Sequence, residues 1–299
     1  MYKNRWLYII GIVLLSFAAC TPEQVETGAF VSKSDLKYSI TQDVDDPNTI
    51  YLESLTPGVI PRWTTPSGYS TRVKDTIQIA FAGDYNFVYG AISSGGYVEA
   101  DTLQLTLTTN NYSYVDDQLW TYLCDGVGYE KTWYLDLDSS GVSYYFDGPL
   151  YFYGTADSWE TVTNGTTVSG DSWNWCPKWS ENTWLMDATD FGSMTFSLID
   201  GPNVTVVHKS ITSRGTETGT YSLDVDNHTL TMTNAGILHD INRDGVVLDW
   251  GDVRVMSLTE STMQLAVLRD AALSGDGACL LVYNFVSKDY YDSNASSSE

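Results

Sequence analysis

The densest set of groups able to hold a ligand lies between Tyr144 and Trp184, where Tyr144, Tyr145, Phe146, Tyr151, Phe152, Tyr153, Trp159, Trp173, Trp175, Trp179 and Trp184 fall in one stretch. Many of these rings sit among polar and glycine residues, as in SWETVTNGTTVSGDSWNWCPKWSENTW (158–184). A large apolar side chain gains about 1.5–3 kcal/mol when buried. A tryptophan held at a polar surface forgoes that gain unless a ligand or partner covers it. Pyranose rings present flat C–H faces that a Trp or Tyr face accepts, while Asp, Asn and Gln take the hydroxyls. Period two places Trp173 and Trp175 on one strand face. Trp159, Trp173, Trp175 and Trp179 are therefore the candidate ligand-binding residues. The competing expectation is that the rings fill a sandwich core.

A second group is Asp240, Asn242 and Asp244, followed by Gly245. Asp-x-Asn-x-Asp-Gly is the first half of a calcium loop, in which alternate side chains converge on one ion. The second half departs, because Gly251 stands at the twelfth position, where a bidentate Glu is required. A polar hairpin turn at Arg243-Asp244-Gly245 accounts for the same residues. Calcium is thus the one cofactor the sequence raises, with Asp240, Asn242 and Asp244 as its ligands. Glycoside hydrolysis needs two carboxyls about 5–9 Å apart across a cleft. Asp136 and Asp138 share a strand face in WYLDLD, and Asp249 and Asp252 flank Trp250, but E-x-D-x-x-E is absent. So are G-x-S-x-G, the P-loop and GxGxxG. The expectation is a protein without catalytic activity.

The elements that must position these residues read as all-β. Ile77, Ile79 and Phe81, then Leu103, Leu105 and Leu107, alternate with smaller or polar residues, as do Leu223 and Val225, Leu230 and Met232, and the series Met263, Leu265, Val267. Asp226-Asn227-His228 reads as a hairpin turn, QLWTYLCDG as a short helix after a polar junction at Asn110 to Asp117, and CLLVYNFV as a buried central strand. The predicted layout is an N-terminal immunoglobulin-like sandwich over 35–110, then a larger β-sandwich of jelly-roll type over 111–292, then a polar tail, 293–299. A piece starting near Asn111 is expected to fold alone and keep all ligand binding.

Lys3 and Arg5 precede an apolar run from Trp6 to Phe17, and Ala18-Ala19 lead into Cys20. This reads as a lipoprotein signal over 1–19, with Cys20 the lipidated residue and 20–34 a tether. Thr21 is no inner-membrane retention signal, so the expected location is an outer membrane, facing the exterior. The chain carries 38 Asp and Glu against 15 Lys and Arg. That balance excludes nucleic acid as a partner and favours neutral ligands over polyanions. Cys124, Cys176 and Cys279 allow at most one internal disulfide. The scattered His208, His228 and His239 argue against a zinc site.

The run KDTIQIAFAGDYNFVYGAISSGGYVEADTLQLTL (74–107) resembles the second half of a PKD-type domain, with Gly83-Asp84-Tyr85 as its Gly-x-Tyr step. It departs from that family after Trp63, where TTPSGYS replaces the usual Asp/Gly-rich signature. The resemblance implies a spacer. Together with LSFAAC and the closing pattern MQLAVLRD…LVYNFVSKDYYD, the layout resembles surface glycan-binding lipoproteins of Bacteroidetes polysaccharide-utilisation systems. That implies non-catalytic capture of a polysaccharide or oligosaccharide, beside an outer-membrane transporter. It supplies no binding residue. The alternatives are a glycoside hydrolase or lyase of the same envelope system and a structural or adhesive envelope lipoprotein.

Overall fold

The computed structural model describes residues 30–295. The signal segment 1–19, Cys20 with the first part of the tether, and the last four residues of the tail lie outside the described residues. Among the described residues, no helix is long and apolar enough to cross a membrane.

The N-terminal part contains β1 (Tyr38–Gln42), β2 (Thr49–Ser54), β3 (Ile60–Thr65), β4 (Gly68–Ser70), β5 (Lys74–Gln78), β6 (Gly83–Ser93), β7 (Gly96–Glu99) and β8 (Leu103–Leu107). They form two small antiparallel sheets. One runs β1-β2-β5, the other β4-β3-β6-β7 with β8 also paired to β6. Alternation sends Ile50, Leu52 and Ile77 inward from the first sheet and Trp63, Phe87, Tyr89 and Leu107 inward from the second, into one core. Trp63 satisfies its indole N–H there by donating to Arg72 O at 2.9 Å.

The polar junction is not a loose linker. Ala80 and Phe81, from the β5–β6 connection, are buried in the same apolar cluster as Val115, Trp120 and Leu123 of the C-terminal body. The ring of Tyr112 meets Phe81 edge-on at 5.5 Å. Hydrogen bonds cross the same place: Asn111 N donates to Ala80 O (2.7 Å), and Ala82 N donates to the Asn110 side-chain Oδ1 (2.6 Å). Asn48, itself buried, donates to Ile79 O and Thr109 O.

The C-terminal part contains α1 (Gln118–Cys124), β9 (Glu130–Leu135), β10 (Leu150–Tyr153), α2 (Trp159–Thr163), β11 (Asn174–Trp175), β12 (Gly192–Ser197), β13 (Asn203–His208), β14 (Thr216–Asp224), β15 (Thr229–Thr233), β16 (Asp252–Leu258), β17 (Thr262–Arg269), α3 (Ala271–Ser274), β18 (Cys279–Ser287) and α4 (Lys288–Ala295). The predicted helix, the hairpin turn after Asp224 and the buried strand 279–287 are all present. Helix α4 takes in residues 293–295, assigned from sequence to the tail.

The jelly-roll expectation is corrected. Strands β12 to β18 each pair antiparallel with the next, and β9 pairs with β12 on one side and β18 on the other. The result is a closed eight-stranded antiparallel barrel, not a two-sheet sandwich. Closure removes the open sheet edges that a sandwich leaves. The barrel interior is a packed core, with Trp133, Phe196, Val206, Leu230, Val253, Leu265, Tyr283 and Phe285 all fully buried.

Between β9 and β12 the chain leaves the ring over residues 136–191. On one edge β18 pairs first with β10 (Leu280 to Tyr283) and then with β9 (Phe285 to Ser287), so this excursion departs at the barrel seam. Its Phe146, Tyr151, Tyr153 and Val162 pack with Met256, Ala266, Leu280 and Val282 on the outer face of the barrel. Buried Asn284 ties the two together, donating to Gly148 O (2.7 Å) and accepting from Gln264 Nε2 (2.8 Å). Strand β18 is therefore covered on both faces, which is why it reads as an unbroken apolar run.

Candidate functional site

The excursion carries the aromatic cluster and sorts it into buried and exposed rings. β11 pairs with β10, with Trp175 opposite Phe152. Phe152 is buried, and the Trp175 ring lies near-parallel to it at 5.2 Å and 24°. Trp184, in the short 3-10 turn Thr183–Leu185, lies near-parallel to Trp175 at 6.3 Å and 27°. Trp175 is 42 % exposed and Trp184 72 % exposed. Phe152, Trp175 and Trp184 thus form a shelf that climbs from the core to solvent. Arg243 buttresses its base, with the guanidinium 5.7 Å from the Phe152 ring and Nη1 donating to Leu185 O.

Trp173 is 43 % exposed and is held at its polar edge, where Nε1 donates to Asp171 Oδ1 at 3.0 Å. Asp171 also accepts from the N–H and hydroxyl of Thr155, and these bonds, the Thr155 N–H first, hold its carboxyl below the usual range. Buried Asp157 fixes the backbone alongside, accepting from Gly154 N, Trp173 N and Ser172 Oγ. The Asp171 carboxylate beside the exposed Trp173 indole brings together the two contacts a sugar uses, an apolar face and a hydroxyl acceptor.

Of the four tryptophans chosen from sequence, Trp173 and Trp175 stand at the surface. Trp159 and Trp179 do not offer free faces. Trp159 stacks on His228 at 4.3 Å and 9°. Trp179 packs against the main core and donates from Nε1 to Met186 O. Trp184, the most exposed tryptophan among the described residues, was part of the aromatic run but not singled out. Its polar neighbours Asn182 and Thr183 were the available signal.

The calcium expectation is corrected. Asp240 Oδ1 accepts from Arg243 Nη1 (2.9 Å) and Asn242 N (3.1 Å), and its Oδ2 accepts from Tyr283 (2.9 Å). Asp244 instead bonds Arg214 Nε (2.6 Å) and His239 Nε2 (3.0 Å), and the Asn242 side chain is exposed. The segment is a 3-10 helix, Ile241–Val246, capped by Asp240, rather than a hairpin turn or an ion loop. Among the described residues, no group of three or more His, Cys, Asp or Glu stands together to hold a metal ion.

Asp244 belongs to a charged network at one end of the barrel. Arg214 bridges it to Glu217, which also accepts from Gly236 N and faces His208 Nε2 at 3.3 Å. His239 stacks on Trp250 at 3.4 Å and 5°. Burial pushes the His239 pKa down to about 4 and lowers that of His208 as well. Burial works against ionisation of Glu217 and Asp244, but their hydrogen bonds and Arg214 outweigh it and hold both below the usual range.

Three other carboxylates considered from sequence, Asp136, Asp138 and Asp249, bond backbone N–H groups. Asp136 is fully buried and accepts from the N–H groups of Tyr144, Tyr145 and Phe146, although burial still raises its pKa. Asp138 accepts from Ser140 N, Val142 N and Tyr144 Oη. Asp249 caps Gly251 N. Among the described residues the three cysteines are free, with Cys124 and Cys279 buried and Cys176 at the surface. A cleft of about 330 Å³ opens at the barrel seam, lined by Tyr134, Asp138, Asp190, Ser193, Lys209 and Tyr291 among others. No family model matches this chain. No curated protein matches it either.

Proposed function

We propose that this protein captures a neutral polysaccharide without cleaving it, at the outer face of a cell envelope to which Cys20 anchors it. The observation that carries the reading is the shelf, where Trp184 stands open to solvent on near-parallel Trp175, while Trp173, two residues before Trp175, is exposed beside the Asp171 carboxylate. Aromatic faces left open in water are stabilised once a flat apolar surface covers them. The net charge of −23 disfavours polyanionic ligands through like-charge repulsion. The strand orders β1-β2-β5 and β4-β3-β6-β7 support an immunoglobulin- or PKD-type N-terminal module. An outer-membrane transporter is the partner that the lipoprotein layout suggests.

The test is affinity electrophoresis of the soluble body (residues 30–299) against plant, algal and host polysaccharides. Trp184→Ala and Trp175→Ala are each expected to weaken retention about tenfold or more. Trp184→Ala should leave the melting temperature within a few degrees, because that ring is mostly exposed. Retention should vary little between low and moderate salt. Undiminished retention by both variants would move the site elsewhere.

One observation favours hydrolysis as a second reading. Asp138 and Asp190 both line the seam cleft around Tyr291. Reducing sugar that accumulates with wild-type protein and is lost in Asp190→Asn would establish it. On the capture reading none accumulates.

A further inference from the structure

The outer face of the second N-terminal sheet carries a row of side chains that the spacer role does not use. In β3, Pro61, Trp63 and Thr65 point to the core, so Ile60, Arg62 and Thr64 face outward. Tyr69 of β4 pairs with Thr64, and Tyr97 of β7 pairs with Ile92 of β6. The Arg62 guanidinium lies between the two tyrosines, 4.6 Å from the Tyr69 ring centre and 5.6 Å from that of Tyr97. Tyr97 lies down over Gly90, where a Cβ would collide with its ring. Gly90 is consequently buried although it belongs to the outward face. The Tyr97 hydroxyl donates to Glu99 Oε1.

Both rings remain open, with Tyr69 68 % exposed and Tyr97 41 % exposed. Ile60 and Ile92, directly opposite each other, extend the same exposed face. Covering a glycine is a structural reason for Tyr97 to lie flat. It gives no reason for Tyr69, which covers none. A protein partner is a poor fit, since stable interfaces engage roughly 20–30 residues a side, and this face offers only Ile60, Arg62, Thr64, Tyr69, Ile92, Tyr97 and Glu99. A narrow, extended ligand suits it better. The only charges in the row are one Arg and one Glu, so it suits a neutral ligand.

We propose that Tyr69, Arg62 and Tyr97 form a second glycan-binding surface, on which a neutral polysaccharide lies across the strands. Its C–H faces rest on the two tyrosines, and Arg62 and Glu99 bond its hydroxyls. Rings already fixed by the guanidinium lose little freedom on binding. This rests on the reading of the chain as a neutral-glycan binder, and it makes the N-terminal module a second grip rather than a spacer. Two linked sites on one polymer raise apparent affinity through effective concentration, with no new contact.

The experiment is calorimetry on the soluble body with hexasaccharides of starch, mixed-linkage β-glucan, xylan and galactomannan, followed by the parent polymers. Wild type is expected to bind two hexasaccharides per chain. Tyr69→Ala/Tyr97→Ala should bind one, Trp175→Ala/Trp184→Ala one, and the quadruple variant none. The tyrosine pair should also lose about tenfold or more in affinity for the polymer. Tyr69→Leu/Tyr97→Leu, which keeps apolar bulk on β4 and β7 without an aromatic face, should behave in the same way and guards against a folding defect. One hexasaccharide per wild-type chain, lost only with the tryptophans, would overturn this second surface and leave the capture reading intact. One lost only with the tyrosines would uphold it and remove the shelf. Failure of wild type to bind any of the four glycans would remove both.

Discussion

Replacing Phe81 by alanine is expected to destabilise the C-terminal barrel, and not only the N-terminal module that carries the residue, by about 3–5 kcal/mol, the usual cost of truncating a buried phenylalanine. Phe81 is 6 % exposed and shares a cluster with Val115, Trp120 and Leu123. Its removal leaves a cavity at the foot of α1 that these neighbours fill only in part. A piece starting at Asn111 would lack Ala80 and Phe81 altogether, so it should melt well below the piece starting at residue 30. Denaturant titration followed by barrel tryptophan fluorescence measures both. An unchanged barrel midpoint in Phe81→Ala would show that the two parts are energetically separate and would support the independent-domain expectation.

Acid is expected to unfold this protein earlier than its carboxylates alone require. His239 is fully buried, with Nδ1 2.6 Å from Ile237 O and Nε2 3.0 Å from Asp244 Oδ1. A neutral ring can donate to only one of these acceptors, so protonation would serve both. Burial nevertheless prevails and holds the pKa at about 4, against about 6.5 in an unfolded chain. Between those values the unfolded chain binds the proton and the fold does not. Stability is therefore complete above about pH 6.5 and falls as pH drops towards 4, by on the order of 3 kcal/mol. His208, lowered for the same reason, acts in the same direction. Glu217 and Asp244, held below the usual carboxylate range, add their loss at still lower pH. Asp136, raised by burial, opposes the trend. The slope is therefore compared between wild type and His239→Phe, which keeps a ring on Trp250 and cannot titrate. Denaturant midpoints from pH 8 to pH 4.5 should fall less steeply in the variant. An equal slope, or a wild type that gains stability towards pH 5, would show that the two acceptors outweigh burial.

The alternation of Leu230 with Met232 and of Met263, Leu265 and Val267 made these strands legible, because half-buried strands carry period two wherever they occur. The same alternation suits a sandwich face and a barrel wall, which is why a jelly roll was expected. The aromatic run was legible as a cluster, yet exposure divided it in a way its composition did not announce. Trp173 and Trp179 sit in similar polar sequence, but one reaches solvent and the other packs on the core. The calcium pattern misled because spacing fixes only which side chains are near in sequence. Asp240 and Asp244 turned instead to Arg243, Tyr283, Arg214 and His239.

By itself the sequence determined the mostly β character, several strands, among them Leu103–Leu107, Thr229–Thr233 and Thr262–Arg269, the short helix α1, the hairpin turn at Asp226-Asn227-His228 and the region where exposed rings gather, because each is set by neighbours a few residues apart. The strand expected through Ile77, Ile79 and Phe81 ends at Gln78 instead. Only the tertiary structure decided the closure of β9 onto β18, the seating of Phe81 in the barrel's core, the stacking of Trp184 on Trp175, and the placing of Arg62 between Tyr69 and Tyr97. The physical reason is common to all four. Each joins residues whose proximity is fixed by the packing of whole elements, and period-two patterning carries no information about which element a buried face will meet.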